Sequence, residues 1–176
     1  MRRVVLFAVA LLLCGSVAYA KEASRVAYAD LINSKGEKIG TARITEIQNG
    51  VKIVLRVSKL PPGLHAFHIH GVGKAEPPDF KTAGGHFNPE GKKHGMKNPE
   101  GAHAGDLPNL LVNPNGTGQI EVIVPRVTLG PDRPGQAYSL LKPGGTSVVI
   151  HEKADDEMTD PAGNAGARIA CGVITQ

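Results

Sequence analysis

The sequence predicts an all-β domain, an antiparallel sandwich or barrel with two long functional loops, on three observations. Short segments alternate apolar and polar residues with the two-residue period of half-buried strands, VKIVLRV at 51–57 most clearly. Gly- and Pro-rich turns separate these segments, and no stretch carries the 3.6-residue period of a long amphipathic helix. At 176 residues, 41% of them hydrophobic, the chain has room for one such domain behind a targeting segment.

Residues 1–20 read as a secretory signal peptide. Arg2 and Arg3 form a basic start, Val4 to Leu13 is an apolar run too short to span a bilayer, and Ala18-Tyr19-Ala20 is a small-x-small cleavage site. The folded domain then occupies 21–176, exported to the periplasm or the extracellular space. In a rival reading Cys14 is a lipid-modified N-terminus, but Leu11-Leu12-Leu13 lacks the small residue expected before such a cysteine. No membrane contact is expected unless Cys14 is lipidated.

Segments 25–33, 38–47 and 51–59 should form a meander, with Asn49-Gly50 as a type I′ hairpin turn between the second and third. Pro61-Pro62-Gly63 turns the chain into LHAFHIH at 64–70, and Gly71 ends that strand. A Gly- and Pro-rich loop runs to about residue 117. Loops of that length are uncommon unless functional, and this one holds His86, His94, His103 and Asp106, which suggests that metal orders it. Strands return at 118–125 and 146–152, with at most one short strand in 126–145. A second loop, 153–167, carries Asp155, Asp156 and Asp160, and RIACGVI at 168–174 closes the domain.

Charge and cysteine content narrow the function classes. Signal cleavage removes two arginines and no acids, which lowers the net charge from +4 to +2. No basic run is interleaved with aromatics, so nucleic acid is not an expected partner. Lys74, Lys81, Lys92, Lys93, Lys97 and Arg168 lie near the histidines in sequence; for the lysines, solvated surface and substrate attraction are both open readings. Cys14 leaves with the signal, so Cys171 has no partner for an internal disulfide, and the oligomeric state stays open, a homodimer included.

The histidines carry the chemistry. His68 and His70 are two apart in a strand, so their side chains leave the same face and can converge on one ion. Two four-ligand sites sharing one ligand need seven groups, and His68, His70, His86, His94, His103, Asp106 and His151 are seven. Four imidazoles suit copper, whereas three imidazoles and a carboxylate in a tetrahedron suit zinc.

Beyond these residues, LHAFHIH (64–70), AGGHFNP (83–89), KKHG (92–95), HAGDLPNL (103–110), VVIHEKADD (148–156) and GNAGARIACGV (163–173) resemble the copper,zinc superoxide dismutases in order, spacing and residue type. The resemblance runs from about residue 25 to the C-terminus. It implies an eight-stranded antiparallel Greek-key β-barrel, superoxide as substrate, and copper and zinc as cofactors. His68, His70, His86 and His151 would hold copper; His86, His94, His103 and Asp106 would hold zinc, with His86 the bridge and a proton carrier. Asp155 would link His68 to His94 from outside the ligand set, Arg168 would guide the anion, and His65 would brace the barrel. Relatives usually tie the metal loop to the last strand by a disulfide. Cys171 matches its strand end, but Ala75 stands where bacterial members have the loop cysteine, so the bridge should be missing.

Two other classes compete. A non-catalytic copper- or zinc-binding module would need neither Arg168 nor a bridging His86. A dizinc hydrolase would continue its His-x-His run with Asp and His at 72 and 73, where this chain has Val72 and Gly73.

Overall fold

The computed structural model describes residues 24–176, so the signal-peptide reading of residues 1–20, Cys14 included, lies outside the described residues. The meander forms as expected from β1 (Val26–Asn33), β2 (Lys38–Ile47) and β3 (Gly50–Val57). Their inward residues are those the alternation selects, among them Ala27, Leu31, Ala42, Ile44, Ile53 and Leu55, all buried. β4 (Gly63–His65) and β5 (Phe67–His70) follow, then β6 (Leu110–Val112), β7 (Gly118–Val124), β8 (Val127–Thr128), β9 (Tyr138–Ser139), β10 (Ser147–His151) and β11 (Arg168–Val173).

The main sheet is antiparallel and has the order β4-β6-β7-β3-β2-β1-β11-β10-β5, while β8 and β9 make a separate parallel pair. Its two edge strands, β4 and β5, are consecutive in the chain, so the sheet curls nearly shut in a Greek-key barrel. The main sheet has nine strands rather than the expected eight, because Ala66 leaves the ladder: its N–H donates to Lys153 O, and its carbonyl accepts from His151 N–H. Three local expectations also change. β6 lies inside what read as continuous loop, since Leu110 and Val112 are inward residues of a strand only three residues long. Residues 126–145 hold two short strands rather than at most one. The hairpin turn is Gln48-Asn49, with Ile47 paired to Gly50. Gly50 is needed for a different reason: β3 passes so close to the end of β7 that a Cβ there would strike the Val124 carbonyl.

The barrel has two faces, and the function lies on the outer one. Phe67, Ile69, Val148 and Ile150 point into the main core, so by alternation His68, His70 and Val149 stand on the outer wall. A smaller apolar cluster of Phe80, Ala83, Val149 and Cys171, with Ile32 and Ala75 packed against it, seals the first long loop to that wall. Between β10 and β11 the register shifts at Ile150/His151, so that His151 pairs with Arg168. This bulge sets Arg168, rather than Ile169, beside His151.

Cys171 is wholly buried in the small cluster beneath the first long loop. Burial also pushes its thiol up to about 11. The native protein at pH 8 is therefore expected to react with a thiol reagent at under about a hundredth of the rate of a free cysteine. Full reactivity should return in guanidinium. Rapid modification of the native protein would show that the loop opens readily over β11.

Candidate metal centre and anion cleft

Two strands and one long loop bring the seven predicted ligands together. β5 contributes His68 and His70, β10 contributes His151, and the loop after β5 contributes His86, His94, His103 and Asp106. One ligand atom from each of His68, His70, His86 and His151 lies within 4.8 Å of the others, and the same holds for His86, His94, His103 and Asp106. His86 belongs to both clusters. Bridges from His70 to His86 and from His68 to Asp106 stitch the loop to the strand at the site.

The ring nitrogens divide into two sets. In the loop cluster, Asp106 Oδ1 lies 2.9 Å from His86 Nδ1, 3.1 Å from His94 Nδ1 and 3.2 Å from His103 Nδ1. His86 Nδ1 and His103 Nδ1 are 3.4 Å apart. Donors on a tetrahedral ion with bonds of about 2.0–2.1 Å stand about 3.3–3.4 Å apart; the His86–His103 pair has that spacing and the carboxylate oxygen lies somewhat inside it. In the strand cluster, His70 Nε2 and His151 Nε2 are 3.4 Å apart. His68 Nδ1 and His86 Nε2 are buried with no hydrogen-bond partner. A buried polar atom without a partner is costly, and a bound ion removes that cost for both. The residues therefore fit one four-imidazole ion and one three-imidazole, one-carboxylate ion, which matches copper and zinc in donor chemistry.

The opposite ring nitrogens are held by the scaffold. Asp155 bridges the clusters, with Oδ2 2.8 Å from His68 Nε2 and Oδ1 2.9 Å from His94 Nε2. His70 Nδ1 lies 2.9 Å from Gly84 O, and His151 Nδ1 lies 3.3 Å from Gly166 O. Such outer partners set the tautomer and aim the free nitrogen at the metal. Asp155 is in turn held by Asn109, which donates to its carbonyl and accepts from its N–H. Gly163 has φ +61 and packs so tightly that a Cβ would strike Asp155 and His94. His65 spans from Pro61 O to His151 O, the expected brace.

Charge states favour metal capture at three of the imidazoles and oppose it at His94, which must release a proton to bind. Burial, reinforced by the neighbouring histidines and Arg168, lowers His70 to about 2 and His151 to about 3. Burial lowers His86 to about 4 against the pull of Asp106. Those three imidazoles are neutral at pH 7, with lone pairs free to bind. For His94 burial acts downward, but Asp106 and Asp155 outweigh it and raise the group to about 9. Burial would raise Asp106, yet hydrogen bonds from His103, His86, His94 and Gly95 N–H hold it far below the carboxylate range.

The strand cluster opens onto a cleft of about 360 Å³ lined by His70, His86, His151, Lys92, Asp160 and Arg168 among others. Arg168 donates from Nη1 to Phe80 O at 2.7 Å and from Nη2 to Gly84 O at 2.6 Å. Among the described residues no carboxylate lies within ion-pair distance of it. The lysines behave differently: Lys74, Lys81, Lys92, Lys93 and Lys97 each pair with an acid, Glu76, Asp79, Glu90, Asp160 and Glu157 respectively. Arg168 is thus the cation that the cleft leaves for an anion. The carbonyls of Phe80, Gly84 and Gly166 and the side chain of Asn109 are functional parts the sequence reading missed. Only Asn109, inside the HAGDLPNL block, carried a visible signal.

A β-barrel bearing two four-ligand clusters on one shared imidazole, beside a cation-lined cleft, defines a dinuclear metalloenzyme that acts on a small anion. Comparison with known proteins specifies the family. The model for copper/zinc superoxide dismutase (SODC) matches residues 38–174. The chain is 55% identical over 148 residues to "Superoxide dismutase [Cu-Zn] 1" of Aquifex aeolicus, covering 84% of this chain and 86% of that protein. It is 41% identical over 149 residues to the superoxide dismutase-like protein YojM of Bacillus subtilis, covering 84% and 74%. The crystal structure of a SOD-like protein from Bacillus subtilis aligns with a TM-score of 0.78 at 40% identity, covering 84% of this chain and 97% of that one. The chain belongs to the copper/zinc superoxide dismutase family.

Proposed function

We propose that the protein dismutates superoxide to dioxygen and hydrogen peroxide, with copper held by His68, His70, His86 and His151 and zinc by His86, His94, His103 and Asp106. His86 carries this reading: its Nδ1 sits among the zinc-type donors, while its buried Nε2 has no partner and belongs with the copper-type donors. A non-catalytic binding module has no use for that arrangement or for Arg168. We also read residues 63–70 as one strand broken at Ala66, which makes the barrel eight-stranded, and we place the mature protein outside the cytoplasm on the strength of the residue 1–20 pattern.

Bound in these positions, copper would supply the one-electron cycle that oxidises one superoxide and reduces the next, and zinc, which is redox-inert, would fix the other nitrogen of His86. The protein's own groups do the rest. Two of the five Arg168 N–H donors are taken by the Phe80 and Gly84 carbonyls, which hold the guanidinium still and leave the others for the anion. His86 takes a proton on Nε2 when that nitrogen is free and gives it to the reduced anion in the cleft. The second proton of hydrogen peroxide comes from cleft water. By accepting from Nε2–H of His68 and His94, Asp155 leaves their Nδ1 lone pairs for the ions those atoms would hold.

The test joins metal analysis to a dismutation assay on one preparation. One copper and one zinc per chain with activity far above free copper is the expected result, and metal-loaded but inactive protein would sink the proposal. His151→Ala should lose copper and activity while keeping zinc, because His151 belongs only to the strand cluster. Loss of zinc instead would reverse the site assignment.

A further inference from the structure

One side chain of the metal loop combines two unusual features. Phe80 is wholly buried, yet its backbone lies in the left-handed region at φ 52 and ψ 25. That conformation crowds the Cβ of any L-residue and is uncommon for a bulky one. It persists where the surroundings over-determine it, and such residues gather at functional sites. Here the surroundings are explicit. Phe80 packs in the cluster with Ala83, Val149 and Cys171, against which Ala75 also packs. Its N–H donates to Glu76 O, and its carbonyl accepts from Ala83 N–H and from Arg168 Nη1.

We propose that Phe80 is a positioning residue for anion capture: its ring, seated beside Cys171, locks the loop on the barrel wall and holds its own carbonyl on Arg168. Packing at this point does the work that a disulfide from the loop to Cys171 would otherwise do. The proposal rests on the reading that Arg168 meets the anion. The two contacts come from one residue, so loss of the ring frees the carbonyl and lets the guanidinium swing out of line with the cleft. His68, His94 and His151 are held from outside this segment, by Asp155 and Gly166, so metal content should fall far less than anion affinity.

The experiment uses the full, metal-loaded protein and azide as the anion probe, with affinity read from the copper(II) absorption band and metal content measured alongside. Phe80→Ala should weaken azide binding about tenfold or more, the scale expected when a remote contact misplaces a group in the site. Phe80→Gly should do the same, although it relieves the left-handed backbone, and Phe80→Leu should recover most of the affinity. In an Arg168→Ala background, Phe80→Ala should change nothing further. Wild-type azide affinity in Phe80→Ala, or an equal loss in the Arg168→Ala background, overturns the proposal. If Phe80→Ala does not fold, Phe80→Val takes its place with the same two outcomes. Wild-type affinity in Arg168→Ala alone would overturn the reading of Arg168, and this proposal with it; a loss there with none in Phe80→Ala overturns this proposal alone.

Discussion

Replacing Arg168 by Glu is expected to slow dismutation by about a hundredfold or more while leaving copper and zinc content near wild type. Removing one positioned electrostatic group from an active site typically costs about 10²–10³ in rate, and here the charge is also reversed where an anion must approach. Lys92, the lysine that lines the cleft, is paired with Glu90 and should compensate little. Arg168→Lys should be milder, because the charge stays; the fork that reaches Phe80 O and Gly84 O together is lost. Steady-state dismutation at several ionic strengths, with metal analysis, checks this. Unchanged activity in the Glu variant would remove Arg168 from the site. Lost copper would mean that the residue holds the loop and ligands rather than the substrate.

Ala75→Cys is expected to form a disulfide with Cys171 under oxidising conditions and to raise the melting temperature of the metal-free protein by about 10 °C. Ala75 packs against the cluster containing Cys171, and Cys171 Sγ lies 3.5 Å from Lys74 O, the neighbouring backbone. A bridge across nearly a hundred residues would restrict the unfolded chain by roughly 4–5 kcal/mol in the chain-entropy model, with delivered values often lower. The metal-loaded form should gain fewer degrees. Bound metal already orders the loop, and the larger unfolding entropy at a higher melting temperature turns the same free energy into a smaller shift. Calorimetry on both forms, oxidised and reduced, makes the comparison. Absence of a bridge would mean the two Cβ vectors diverge, and a bridge without gain would mean that Phe80 packing already closes the gap.

Residue order alone determined the strand meander, the outward-facing His68 and His70, the seven donors and the sharing of one of them. Those features rest on local rules: the two-residue period of a strand, turn-forming Gly and Pro, and the chemistry of imidazole and carboxylate. The same local rules misplaced what depends on distant neighbours. Asn49-Gly50 has the chemistry of a hairpin turn, but Gly50 is required by the approach of Val124, and the turn falls one residue earlier. β6 was hidden because three residues are too few to show a period, and the break at Ala66 is made by hydrogen bonds to Lys153 and His151. Only the tertiary structure decided that Lys92 in the cleft is paired while Arg168 stays open to it, and that the register shift at His151 puts Arg168 beside it. The contact that fixes Arg168 joins residues 88 apart through a backbone carbonyl. Every residue type carries that carbonyl, so no pattern of side chains can announce which one will be aimed at the guanidinium.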